Sequence, residues 1–283
     1  MDIVSTHSHL LSNPEGLDQF VESGLLSQVW ILELPQKPIK SMEARPATED
    51  EILEVCRRYA GFFLPFKWVD FRSGPDQIDR AVEKGFVGFK GFCPQKPYDD
   101  DSYMPIYERI SSYKTCMVFH TGYVSTPRYE DRGELGYSAL NMCPATLYKI
   151  ARFFPEMTLV AAHFGVPWEH ELVAGPMPSL PNLYIDFSGG EYEYLLKFME
   201  EAASCPATLA DGSRGMIANK LLFGVDAYLG MKQLHHDVES YVKDFLRRAE
   251  ILRTGNLPWS CFLGDMLAGN SRKLLAYNQL FHS

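Results

Sequence analysis

With 283 residues, 46% of them hydrophobic, the chain can bury a sizeable core, and its length suits one α/β barrel of about 250 residues or two smaller domains. Its 36 acidic against 27 basic residues give a formal charge of -9, and no basic run could track a phosphate backbone, which argues against a nucleic-acid partner. No apolar stretch approaches the roughly 20 residues that span a bilayer, and the start around Asp2, Ser5, Thr6 and His7 lacks the basic and apolar regions of a signal peptide, so a cytoplasmic protein without a membrane partner is expected.

Short β-rich apolar runs recur at residues 3–6, 28–33, 62–70, 86–92, 115–120, 158–163, 182–187 and 220–226. Stretches with helical periodicity separate them, at the spacing of a βαβ unit. Thr48 and Glu51 have the spacing of a capping box, and Pro75 and Pro144 suit first-turn positions before helices at 78–82 and 147–154. Residues 231–253 form a long, charged amphipathic stretch, and Asn270 or Ser271 is placed to cap a last helix. Such alternation predicts a parallel sheet with helices outside. A doubly wound sheet would usually carry a glycine-rich phosphate turn after its first strand, whereas here that turn holds His7 and His9. Eight units and a uniform composition favour a closed (β/α)8 TIM barrel, one domain over residues 1–283. The six cysteines lie far apart without Cys-x-x-Cys spacing and read as reduced, buried thiols.

In such a barrel the active site lies at the C-terminal ends of the strands. His7 and His9, two apart where the first strand runs out, point the same way and are placed to grip one metal ion. The fourth strand carries Lys90, the fifth ends in His120, the sixth in His163 and the eighth in Asp226. His120-Thr121-Gly122 and His163-Phe164-Gly165 share a His-x-Gly pattern, whose glycine lets the backbone turn and leaves the imidazole at the rim. Asp226, closing an apolar strand, needs a cation, a metal or backbone donors, unless it caps a following helix. Lys90 has three readings: a substrate-carboxylate anchor, a carbamylated bridge between two metals, or an amine that snorkels to water. Arg128 and Arg132 are further candidate anchors for an anionic substrate, and Tyr123 and Trp168 could stack on a flat one. His170, His235, His236 and His282 read as loop, solvated helix face and tail.

Together, His-x-His on the first strand, His-x-Gly on the fifth and sixth, and Phe223-Gly224-Val225-Asp226 on the eighth resemble the amidohydrolase superfamily. The likeness is to its amidohydrolase-related branch, which holds aminocarboxymuconate-semialdehyde decarboxylase and related lactonases. The tail from Gly269 through Asn270 and Ser271 to Leu275 is similar to that branch's last helix. Two departures stand out: Ser5 replaces an acid common before the first histidine, and Gly-Val-Asp-Ala stands where Gly-Ser-Asp is usual. The resemblance implies a divalent metal, zinc or alternatively manganese, held by His7, His9, His120 and Asp226. It places His163 beside the substrate, as a ligand only to a second metal, and gives Asp226 a proton-shuttling role. The implied reaction is hydrolysis of a small anionic ester, lactone or amide by metal-activated water, Asp226 moving the proton and His163 stabilising charge on the carbonyl oxygen. The alternative is non-oxidative decarboxylation of a small aromatic or unsaturated carboxylic acid. A third reading, from another class, is a barrel that binds a metal or ligand without turnover. A small-molecule substrate is expected in either enzymatic case, and self-association into a homo-oligomer is left open.

Overall fold

The computed structural model describes residues 2–37, 44–124, 135–165, 177–189, 192–231, 234–254 and 261–279. Its main sheet runs through β1 (Val4–Leu10), β2 (Gln28–Leu32), β3 (Phe63–Trp68), β4 (Gly88–Gly91), β5 (Cys116–Phe119), β6 (Thr158–Ala161) and β7 (Leu183–Asp186), each paired in parallel with the next. An antiparallel hairpin, β8 (Pro206–Thr208) and β9 (Arg214–Met216), then intervenes. The eighth barrel strand is split: β10 (Leu221–Leu222) pairs with β7, and β11 (Ala227–Leu229) pairs with β1, again in parallel. The residues between them complete the ring, with Thr6 N donating to Phe223 O at 2.8 Å and Asp226 N to His7 O at 2.9 Å. The protein is a (β/α)8 barrel, and all eight predicted strands are present.

Helices cover the outside because their apolar faces have only the sheet to bury against. Glu49–Arg58 begins with the predicted capping box: Thr48 Oγ1 accepts from Glu51 N, and the Glu51 carboxylate accepts from Thr48 N. Asp76–Lys84 follows Pro75, and Leu147–Phe153 follows a single turn opened by Pro144. The long amphipathic stretch forms Leu234–Thr254. Two expected caps are corrected. Asn270 has helical backbone angles and continues a π turn at Asp265–Gly269 into Asn270–Gln279. Its Nδ2 donates instead to Ala218 O and Leu221 O, tying that helix to the start of the split strand, while Ser271 Oγ donates to Ala268 O. Asp226 caps no helix either, because the chain runs on into β11.

Strand alternation sorts the core. Val4, Trp30, Leu32, Phe66, Cys116, Val118, Val160, Tyr184 and Leu222 fill the barrel interior, while Leu159, Phe89, Met117, Phe119 and Ile185 face the helices. Trp30 stacks on Phe66 with ring centroids 4.7 Å apart. Gly88 faces the Phe66 ring, and a Cβ added there would come within 2.3 Å of it. Gly88→Ala is therefore expected to cost roughly 1–3 kcal/mol by overpacking, read as a lowered urea midpoint with an unchanged slope.

Candidate active site

The barrel mouth gathers its side chains mostly by strand parity. Inward-facing Val118 on β5 puts His120 inward two residues later, Gly88 on β4 does the same for Lys90, and Tyr184 on β7 for Asp186. On β1 parity alone would fail, since Val4 and His7 are three apart. A bulge resolves this: Ser5 and Ser8 pair with Val29 and Ile31, three steps of β1 against two of β2, so the strand changes phase and His7 and His9 join Val4 on the inner face. Their rings sit edge to face, 5.2 Å apart. On β6 the inward residues are Val160 and Ala162, which would turn His163 outward, yet its ring lies 4.6 Å from that of His7. Its backbone accounts for this, taking φ 60°, and Asp226 takes φ 49°. Such left-handed geometry in non-glycine residues costs about 1–3 kcal/mol each and clusters at functional sites. After β5, by contrast, the turn falls on the expected glycine, Gly122, with φ 88°.

His7, His163 and Asp226 each offer an atom within 4.8 Å of the others. Asp226 Oδ1 is 3.6 Å from His7 Nε2 and 3.5 Å from His9 Nε2. His163 Nε2 is 3.1 Å from His120 Nδ1, and Lys90 Nζ is 3.3 Å from His7 Nε2. The sequence-predicted residues His7, His9, His120, His163, Lys90 and Asp226 thus converge. Lys90 is fully buried, so the reading in which it snorkels to water is overturned. Burial pushes its amine down to about 8, against the carboxylates of Asp186 and Asp226.

Sequence reasoning missed Asp186, which is wholly buried and accepts from His7 Nδ1 at 2.6 Å. Its signal was a carboxylate inside an apolar strand, the same signal that picked out Asp226. Gly224 matters by what it lacks: a Cβ there would lie 2.9 Å from the Cβ atoms of His7 and Ser188 and 3.0 Å from Asp186 Oδ1. Ser5, in place of an acid, braces the seam as its Oγ donates to His7 O and accepts from Val225 N. Tyr123 stands on the loop after β5 with 64% of its surface exposed. Arg128, Arg132, Trp168, His170 and His282 lie outside the described residues, as do the side chains of His235 and His236.

The donor set suits a cation. Nδ1 of His9 meets Leu32 O at 2.7 Å, Nδ1 of His163 meets Ser188 O at 3.1 Å, and Nδ1 of His7 meets the Asp186 carboxylate. Carbonyls and carboxylates only accept, so each of these Nδ1 atoms carries a hydrogen, and a ring in that tautomer has its lone pair on Nε2. Burial, reinforced by the nearby Lys90 charge, holds His7 well below the ordinary imidazole range, and Asp226 opposes this. Burial, with His163 and Lys90 close by, does the same to His120. Burial would raise the Asp226 carboxyl, but the neighbouring imidazoles of His9, His163 and His7 outweigh it and hold it below its ordinary value. A neutral His7 Nε2 and an ionised carboxylate oxygen therefore face each other without a proton to share, and His120 Nε2 is buried with no hydrogen-bond partner among the described residues. Imidazole nitrogens together with one carboxylate are the donor types that hold a divalent cation.

A family described as Amidohydrolase matches residues 37–253, most of the chain. The chain belongs to the amidohydrolase family. The matched span begins after β1, so it is the fold that brings His7 and His9 to this enzyme's other site residues. No curated protein matches its sequence. Among solved structures, the amidohydrolase is similar to an uncharacterized TIM-barrel protein from Bordetella bronchiseptica, with TM-score 0.67, 15% identity, and coverage of 99% of this chain and 100% of the other. It is similar to a dihydroxybenzoic acid decarboxylase from Polaromonas sp. JS666 with bound manganese and the inhibitor 2-nitroresorcinol, with TM-score 0.59, 13% identity and coverage of 98% and 97%. It is also similar to a probable 2-pyrone-4,6-dicarboxylic acid hydrolase from Acinetobacter baumannii with citric acid bound, with TM-score 0.58, 13% identity and coverage of 98% and 100%. At these identities the likeness is one of fold. Membership in an enzyme family sets aside the reading of a barrel without turnover. Among the described residues no helix is long and apolar enough to cross a membrane.

His7 and His120 are neutral in the folded amidohydrolase, while in the unfolded chain they take up protons below about pH 6.5. Their lowered values make the native state harder to protonate, so their contribution is complete above pH 6.5 and lost as the pH falls. Chelator-treated protein is expected to lose up to about 1.4 kcal/mol per pH unit for each such histidine below that point. Urea midpoints at pH 7.5 and 5.0 measure the loss, and His120→Gln should flatten the slope.

Proposed function

We propose that the protein is a metal-dependent hydrolase of a small anionic ester, lactone or amide. One observation carries the reading: candidate ligand atoms of His7, His163 and Asp226 lie within 4.8 Å of one another, with His9 Nε2 a further 3.5 Å neighbour of Asp226. His7, His9, His120 and Asp226 are proposed as ligands. The grouping of His163 with His7 and Asp226 brings it nearer to a ligand's place than the resemblance implies. An imidazole-rich set with one carboxylate favours zinc, and manganese, bound in the Polaromonas enzyme, is the alternative.

The cation would supply Lewis acidity, polarising a carbonyl and making water acidic enough to ionise near neutral pH. Asp226, ionised, accepts a proton at its carboxylate and returns it to the leaving group. His163, grouped with His7 and Asp226, is proposed to stabilise the charge that develops on the carbonyl oxygen. Lys90 places a positive group at the floor of the mouth, which suits an anionic substrate, and Tyr123, Arg128 and Trp168 are proposed at the rim.

A second reading, decarboxylation of a small aromatic or unsaturated carboxylic acid, is favoured by the decarboxylase among the structural neighbours and would use the same residues. A panel of lactones, esters, amides and aromatic acids separates the two: acid release without carbon dioxide is expected, and carbon dioxide would establish the second. Asp226→Asn should keep the circular-dichroism spectrum and lose about 10²–10⁴-fold in kcat. His7→Ala with His9→Ala should abolish stoichiometric metal by mass spectrometry, and retained metal would refute the ligand set.

A further inference from the structure

Asp186 and Ser188, at the end of β7, touch two imidazoles that come from different strands. The Asp186 carboxylate accepts from His7 Nδ1 at 2.6 Å, and Ser188 O accepts from His163 Nδ1 at 3.1 Å. Ser188 Oγ stands between the two rings, 3.0 Å from His7 Nδ1 and 3.2 Å from His163 Nδ1. The two residues also brace each other, since Ser188 N donates to Asp186 Oδ1 at 2.6 Å. Phe187 between them points outward, where it stacks on Phe245 with centroids 5.7 Å apart and meets the edge of Phe223. Both Asp186 and Ser188 are fully buried, so water does not compete for these bonds. Alternation thus anchors the middle residue in the outer core and holds its two neighbours rigidly at the mouth.

We infer that Asp186 and Ser188 are positioning residues: together they lock His7 and His163 as Nδ1–H tautomers, so that the His7 Nε2 lone pair faces Asp226 and the His163 Nε2 lone pair faces His120 Nδ1. The consequence is a preorganised centre. An imidazole free to flip would present a hydrogen to the cation in part of the population, and a ring free to rotate would lose its aim. Asp186 acts on His7 through its acceptor oxygen. Ser188 acts on His163 through its carbonyl, with the hydroxyl linking the rings.

The inference rests on the metal reading above, and its test separates the two. The metal-free full chain, labelled with 15N-histidine, reports each tautomer by long-range 1H–15N correlation, with His7→Gln and His163→Gln for assignment. Both rings are expected as Nδ1–H, and an Nε2–H ring at either position overturns the inference whatever becomes of the variants. Asp186→Ala should give mixed tautomers at His7 alone, and titration with zinc or manganese should show an affinity about 10–100-fold weaker. Asp186→Asn, which keeps an acceptor oxygen, should restore the His7 tautomer and most of the affinity. Asp186→Ala with an unchanged tautomer and affinity overturns the inference, as does Asp186→Asn that is no better than Asp186→Ala. A wild-type chain with both tautomers in place that takes up neither metal overturns the metal reading alone.

Discussion

One backbone hydrogen bond, from Asp226 N to His7 O, carries the architecture of the site. It lies on the seam where the ring of strands closes, and it sets the carboxylate of the split strand beside both histidines of β1. The split is what allows this. An unbroken eighth strand would pair continuously with β7 and β1, whereas residues 223–226 hold to the β1 backbone only through Phe223 O and Asp226 N, and Asp226 adopts a left-handed backbone. Gly224 completes the arrangement, since any side chain there would displace His7 or Asp186.

The site is also where the protein places its least comfortable groups. Lys90 and Asp186 are buried to no measurable exposure, His120 Nε2 lacks a partner among the described residues, and His163 and Asp226 have strained backbones. Each feature is unfavourable alone. They are sustained because the surrounding barrel is densely apolar inside and out, from the Trp30–Phe66 stack below to Phe187, Phe223 and Phe245 behind β7. The rigid shell is the counterpart of the polar mouth.

Much of this was legible in the sequence, for physical reasons that differ from part to part. All eight strands could be read because strands buried on both faces appear as continuous apolar runs. His7, His9, Lys90, His120 and Asp226 could be read because strand ends are where such barrels carry chemistry. His163 was found for an incomplete reason: it does follow the end of β6, but in the turn Ala162–Gly165, and only its left-handed backbone brings it inward. Asp186 escaped because its partner His7 is 179 residues away. The β8–β9 hairpin escaped because two three-residue strands around Asp211 and Gly212 have no hydrophobic period to detect. The cap expected of Asn270 failed because its amide answers to distant backbone rather than to a local helix end.

The seam has a further consequence in time. Thr6 donates through its side chain to Phe223, 217 residues along the chain, so β1 has only β2 beside it until nearly the whole polypeptide is available. Contacts of such separation carry a heavy loop-closure cost before they reward the chain, and they slow folding. The edge of β1 that bears His7 and His9 is therefore among the last to be covered, and during synthesis it offers unpaired backbone to any neighbouring chain. The part of the molecule most closely tied to its chemistry is also the part most exposed to misassembly, and crowding of nascent chains would be felt there first.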